Sequence, residues 1–352
     1  MSTPLSTPRL YYLDNLKVWL TTLVVAHHVA QAYGPTGGEW PVSEAQRSPF
    51  LAPFITINSI FFMGAFFFVS GYLTPRPYDH KGFRAFARDR LLRLGVPSLI
   101  IAAILTAATR SFTFAHMWYA IDLLALSLMY GAYRSRMKIT PTVVVAPPNA
   151  SLLSFTLFLG IVTAGIRVWY PVDYWIMILG VFPIELAHAP QYLFLFLAGL
   201  VAYRSNWLPI ASRRVLRLWG CVALMTVIGF TLWRLVPGWR KFHVFDTGGA
   251  TWQNVIYSTF EAFTSVGILI TSLGLFRRYA GGTTPFLRLL SDNAYGVYFL
   301  HIFVVIPVQL LLKPLTWDSL AKFGVATVLS LTGSFLLSHF VLRKLPCSNR
   351  IF

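Results

Sequence analysis

Charge is scarce in this 352-residue sequence: Asp, Glu, Lys and Arg make up 12% of it, against about 25% in soluble domains. With 56% hydrophobic residues, 16% aromatic residues and 11 tryptophans, a soluble fold of this size would have more apolar surface than one core can bury. That excludes a water-soluble globule. Two cysteines, Cys221 and Cys347, exclude a disulfide framework, and neither acquires a role. The chain has no P-loop, no Cys/His metal spacing and no Gly-x-Ser-x-Gly elbow, which removes ATP-driven transport and serine hydrolase chemistry as ready readings. Acidic residues are rarest, 12 against 29 Lys+Arg, for a net charge of +17. The bases sit in short segments between apolar stretches, a pattern that encodes membrane topology and not a nucleic-acid surface.

What is present is a series of apolar segments of bilayer-spanning length, at roughly 13–33, 51–73, 94–110, 115–133, 151–170, 188–203, 214–235, 252–276, 291–312 and 319–342. The expectation is an all-α, polytopic integral membrane protein of about ten transmembrane helices, with residues 1–352 as a single membrane domain. The stretch 172–187 is apolar but interrupted by Pro171, Asp173, Pro183 and Glu185, and is expected as an interfacial or re-entrant loop. Were it to span, the count would be eleven. With the N-terminus in the cytoplasm, 21 of the 29 bases fall on the cytoplasmic side of the ten-helix arrangement and 8 outside, which places both termini inside. Ala30-Gln31-Ala32 offers a rival reading as a signal-peptidase site, although His27, His28 and Gln31 are poor neighbours for cleavage.

Ionisable groups inside spans are costly, so each is a functional candidate. The first span carries Asp14, Lys17, His27 and His28. At about 100° per residue, Asp14, Lys17 and His28 share one face, with His28 about 16 Å further along the axis than Lys17. Asp14 and Lys17 also suit an anchoring role at the helix end. A membrane-embedded histidine must satisfy two ring nitrogens, which makes His28 the stronger candidate. A second cluster is Arg76, Lys81, Arg84, Arg88, Arg90 and Arg93. The positive-inside rule covers most of it, but Arg90 and Arg93 stand at i,i+3 where an apolar helix begins, and guanidinium forks suit phosphates. In the ninth span Ser291, Tyr295, Tyr298 and His301 form a polar stripe, which also suits helix–helix hydrogen bonding. Asp122 and Glu261 are lone intramembrane acids, able to pair with an arginine or histidine. His116 and Trp118 fit an interfacial aromatic belt as readily as a site. Phe61, Phe62, Phe66, Phe67 and Phe68 are expected to pack, ahead of Ser70-Gly71 where backbones can approach closely.

Leu13-Asp14-Asn15-Leu16-Lys17 followed by ten residues and His28 resembles the first-helix signature of the acyltransferase 3 family of membrane acyltransferases. Phe66-Phe67-Phe68-Val69-Ser70-Gly71-Tyr72, Arg90-Leu-Leu-Arg93-Leu-Gly-Val-Pro97 and Ala294-Tyr295-Gly-Val-Tyr298-Phe-Leu-His301 resemble its second-helix, third-helix and late-helix motifs, in order. Its glucan biosynthesis protein C-like members are the most similar. The family commonly has arginine where this chain has Lys17, and lysine lacks the bidentate fork.

The resemblance implies ten helices with cytoplasmic termini and no permanently bound cofactor. It implies transfer of an acyl group, acetyl or succinyl, from cytoplasmic acyl-CoA to a hydroxyl of a carbohydrate-type acceptor at the outer face. In a Gram-negative host the protein would be a multi-pass protein of the inner membrane. His28 would be the general base or take the acyl group itself, with Asp14, Lys17 and Glu261 as further candidates. Arg88, Arg90 and Arg93 would hold the coenzyme A phosphates. Tyr298 or His301 would polarise the thioester carbonyl or position the acceptor. The alternatives are a proton-coupled transporter or flippase of a sugar or lipid-linked sugar, for which paired broken helices in two halves are not visible, and a non-catalytic membrane subunit.

Overall fold

The computed structural model describes residues 9–35, 40–109, 115–137, 147–178, 182–206, 212–236 and 248–345. Each of the ten apolar segments coincides with helix. In chain order these are α1 (Tyr11–Tyr33), α2 (Leu51–Leu73), α3 (Pro75–Arg90), α4 (Val96–Thr109), α5 (Trp118–Arg136), α6 (Asn149–Arg167), α7 (Ala189–Arg204) and α8 (Arg213–Leu235). They continue with α9 (Trp252–Tyr279), α10 (Pro285–Leu300), α11 (Ile302–Leu312) and α12 (Ser319–Phe340).

Among the described residues, six helical stretches are long and apolar enough to cross a membrane: Leu51–Leu73, Pro75–Ala107, Asn149–Arg167, Arg213–Arg234, Trp252–Tyr279 and Ser319–Lys344. A seventh results if α10 and α11, bent by 70° at His301, count as one span. This is fewer than the ten expected, for identifiable reasons. The 23 residues of α1 are diluted by Asn15, Lys17, His27, His28 and Gln31. Helix α5 carries Asp122 and ends on Arg134 and Arg136, and α7 has only 16 residues.

The stretch expected as an interfacial or re-entrant loop is an antiparallel hairpin, β1 (Trp175–Ile178) and β2 (Phe182–Glu185), with Trp175 opposite Glu185. Pro171 ends the helical path, Asp173 turns the chain at a φ of 67°, and the β-branched Ile176, Ile178 and Ile184 suit the pleat.

The centre of the bundle is the α2–α7 pair, held at backbone contact by two glycines. A Cβ on Gly71 would overlap the Phe196 carbonyl, and one on Gly199 would overlap the Phe68 carbonyl. Around this seam Phe61, Phe62, Phe67 and Phe68 are buried and Phe66 partly so, as expected, together with Leu16, Leu20 and Tyr119. Between α3 and α4 the chain makes a π turn, Leu91–Gly95. Its i→i+5 bonds, a register common at functional sites, rotate the chain less per residue than an α turn would and so take Arg93 off the face it would otherwise share. The two arginines consequently differ: Arg90 is half-buried and Arg93 exposed.

Candidate active site

Three helices bring the late-helix stripe against the first helix. Down α10, the Tyr295 hydroxyl donates to the Arg93 carbonyl in the π turn, and the Tyr298 hydroxyl donates to the His116 carbonyl at 2.8 Å. At the 70° bend, His301 meets His28 of α1, with Nε2 3.3 Å from His28 Nδ1. Tyr295 and His301 are six residues apart, about 9 Å of helical rise, so one stripe spans the arginine turn and the histidine pair.

The hydrogen bonds fix both tautomers. His301 Nδ1 lies 2.7 Å from the Tyr298 carbonyl, which can only accept, so Nδ1 carries the proton and Nε2 is a lone pair. His28 Nδ1 lies 2.9 Å from the Val24 carbonyl, so it too is protonated and shares its N–H between that carbonyl and His301 Nε2. The remaining lone pair of His28, on Nε2, has no hydrogen-bond partner among the described residues. A half-buried imidazole with one nitrogen anchored and the other free has the form of a general base.

Two residues to which the sequence gave no prominence hold His28 in place. The Gln309 amide of α11 donates to the His28 and Val29 carbonyls at 3.2 and 3.0 Å. Trp40 donates to Gln309 Oε1 at 2.8 Å and lays its ring 5.3 Å from that of His28. A lone glutamine within Ile302–Leu312 was the visible signal. His116, left open between belt and site, lies beside the histidine pair: its ring stands edge-on to His301 at 5.3 Å. No group of three His, Cys, Asp or Glu able to hold a metal occurs among the described residues.

The other sequence candidates lie differently. Asp14 is clamped between Arg9 at 2.6 Å and Lys17 at 2.8 Å, and Arg9 reaches Asp292 of α10 at 3.1 Å. Asp14 and Lys17 thus tie helix ends together and make no recorded bond to His28, despite the shared face. Arg90 points at Thr74 Oγ1, 3.4 Å away, over the Phe86 ring, while Arg88 is exposed. Both Tyr298 and His301 have their donors engaged, which leaves them placing His28 and the α5 end and not aimed at a thioester carbonyl.

Glu261 sits in a separate cluster. Its carboxylate meets Arg167 at 2.5 Å and His188 Nε2 at 2.8 Å, and His188 Nδ1 meets Glu185 at 2.9 Å. Both ring nitrogens of His188 face carboxylates, which only the doubly protonated ring can satisfy. Arg167, counted among the outside bases in the sequence, is fully buried, and Lys322 likewise is buried against Glu44 at 2.9 Å. At the hairpin, burial raises the Glu185 carboxyl, but the adjacent His188 and the Asp173 amide outweigh it and hold the group below the usual carboxylate range.

The fold and this site define a helical membrane protein with a histidine pair at the junction of three helices. The family model described as an acyltransferase domain (acyltransferase 3) matches residues 10–339, and the chain belongs to that family. Among curated proteins it is similar to glucans biosynthesis protein C of Escherichia coli, strains SMS-3-5 / SECEC and K12, at 29% identity over 103 residues. That match covers 29% of this chain and 26% of the relative, so the chain spans about a quarter of the length of the curated relatives it matches. No solved structure matches.

Proposed function

We propose that this protein is a membrane O-acyltransferase that moves an acyl group, acetyl or succinyl, from acyl-CoA to a hydroxyl of a carbohydrate-type acceptor. The observation that carries the reading is the free Nε2 of His28, opposite an Nδ1–H held by His301 and Val24. In the reaction His28 Nε2 takes the proton of the acceptor hydroxyl, and the oxygen attacks the thioester carbonyl. The tetrahedral species collapses with loss of the coenzyme A thiolate, which recovers the proton from His28. The two acceptors on Nδ1–H stabilise the imidazolium between these steps.

Coenzyme A is proposed to lie with its phosphates toward Arg90 and Arg93, beside the π turn. The topology that suits this is ten spans with both termini cytoplasmic, in an inner membrane if the host is Gram-negative. Acceptor and donor then approach His28 from opposite faces. The Arg167–Glu261–His188–Glu185 cluster is paired within itself, a poor arrangement for the proton relay that a sugar transporter would need.

The test is transfer of radiolabel from acetyl- or succinyl-CoA into base-labile, non-protein material, in membranes holding equal amounts of wild type or His28→Ala. Label with the wild type alone supports the reading. Equal label with both sinks the base role. No label with either, from protein that also fails to retain coenzyme A, sinks acyl transfer.

A further inference from the structure

Asp122 is anomalous. Other acids on the predicted spans are neutralised, Asp14 by Arg9 and Lys17 and Glu261 by Arg167 and His188. For Asp122, among the described residues, neither an ion pair nor a hydrogen bond is recorded. A half-buried carboxyl without a partner is an expensive feature of a membrane helix, and one that a ligand rich in hydroxyl donors would satisfy.

Its surroundings say what kind. Asp122 is four residues beyond Trp118 and so lies on the same face of α5. It is within electrostatic range of Tyr192 and of Tyr298. The Trp118 ring is tilted by 31° against Tyr192 at 5.2 Å, and meets Trp175 of the hairpin edge-on at 6.3 Å. Trp175 itself is 43% exposed. An interfacial aromatic belt explains exposed rings such as Trp169 and Tyr174. It explains neither a half-buried tryptophan nor an unpaired acid on the same helical face. Helix α5 begins beside the histidine pair, since His116, two residues before Trp118, contacts His301, which contacts His28.

We propose that Trp118 and Trp175, backed by the buried Tyr192, form with the Asp122 carboxyl the subsite that holds a sugar ring of the acceptor. A pyranose presents a C–H face that packs on aromatic rings and an edge of adjacent hydroxyls that donate to a carboxylate, and this group of side chains offers one surface for each. The inference rests on the acyl-transfer reading for what the site serves, while sugar binding stands apart from chemistry. Trp175 and Asp122 bind the acceptor, and neither touches the donor.

The experiment is equilibrium binding of a tritiated glucose pentasaccharide to the full-length protein in nanodiscs, without acyl-CoA. The wild type is expected to bind saturably, and Trp175→Ala and Asp122→Asn each to weaken binding by about tenfold. Trp175→Phe, which keeps a ring, is expected to recover most of the affinity. Absence of saturable binding to the wild type overturns the proposal, as does unchanged affinity in both Trp175→Ala and Asp122→Asn. Binding that follows the expected pattern, alongside no label transfer from acetyl-CoA, would uphold the sugar subsite and count against the acyl-transfer reading instead.

Discussion

His301 Nε2 accepts the proton that His28 Nδ1 carries, across 3.3 Å, and this single contact joins the two ends of the family's motif order, 273 residues apart in the chain. His301 sits at the bend between α10 and α11, with the ring held from behind by the Tyr298 carbonyl. The contact makes His301 a positioning residue. It adds a second acceptor to the N–H that the Val24 carbonyl already places on Nδ1, and so favours the imidazolium.

Substitution should separate these two histidines. His28→Ala is expected to lower kcat by about 10²–10⁴, the range of a positioned general base. His301→Phe should cost less, about 10–10², with KM for acyl-CoA unchanged, because the base remains with its tautomer held by the Val24 carbonyl but loses the second acceptor on Nδ1–H. The pH–rate profile should move in His301→Phe and return toward wild type in His301→Gln, whose amide oxygen can accept. An unmoved profile in His301→Phe would exclude the positioning role.

Arg93 and Arg90 should behave unequally. Arg93 is exposed on the π turn, whereas Arg90 is already engaged with Thr74 and the Phe86 ring. Arg93→Ala is expected to raise KM for acyl-CoA by about tenfold with little change in kcat, a loss of uniform binding. Arg90→Ala should additionally lower the thermal stability of the purified protein. Initial rates over a range of acyl-CoA concentrations, together with melting curves, read both.

Arg167→Ala leaves Glu261 buried beside a single cation. Removing one partner of a buried pair costs about 3–5 kcal/mol, so the variant is expected to lose most of its folded yield in detergent. Arg47→Ala, an exposed arginine bonded to Ser43, is expected to be within about 0.5 kcal/mol of wild type. Size-exclusion profiles of the two at matched expression make the comparison.

Acid should loosen the hairpin. Glu185 is held below its unfolded value, so its contribution is fully present above that value, about 4.3. The contribution is lost as the pH falls through the lower folded value. Hydrogen exchange at the β1–β2 amides is expected to accelerate in that acid window in the wild type. Glu185→Gln should show fast exchange already at neutral pH.

Much of this was legible beforehand, unevenly. Helix was readable because lipid-facing segments announce themselves by hydropathy alone, and α2 lies within the bounds read from the sequence. The seam was signalled by Ser70-Gly71, since only glycine allows the approach that Gly71 and Gly199 make. His28 and His301 were each singled out, but their contact was not, because a pairing across 273 residues leaves no trace in periodicity. Arg167 and Lys322 were counted as outer-side bases, and their burial was hidden for the same reason, as Glu261 and Glu44, the acids that pair with them, lie far along the chain. The π turn escaped notice because Leu-Leu-Arg-Leu-Gly fits an α helix equally well. Helices α1 and α5 are less apolar than α2 because they carry Lys17, His27, His28 and Asp122.

The glycine seam between α2 and α7 has a mechanical consequence. With backbone against backbone and no side chain in between, neither helix can slide or roll without collision at Gly71 or Gly199. The pair therefore acts as a stator. Compliance is left to the jointed arm of α10 and α11, where Pro307 removes a backbone donor six residues beyond the elbow at His301. His301 is the pivot pin of that arm. Any swing that admits a donor or expels a product would be geared directly to the orientation of the His28 ring.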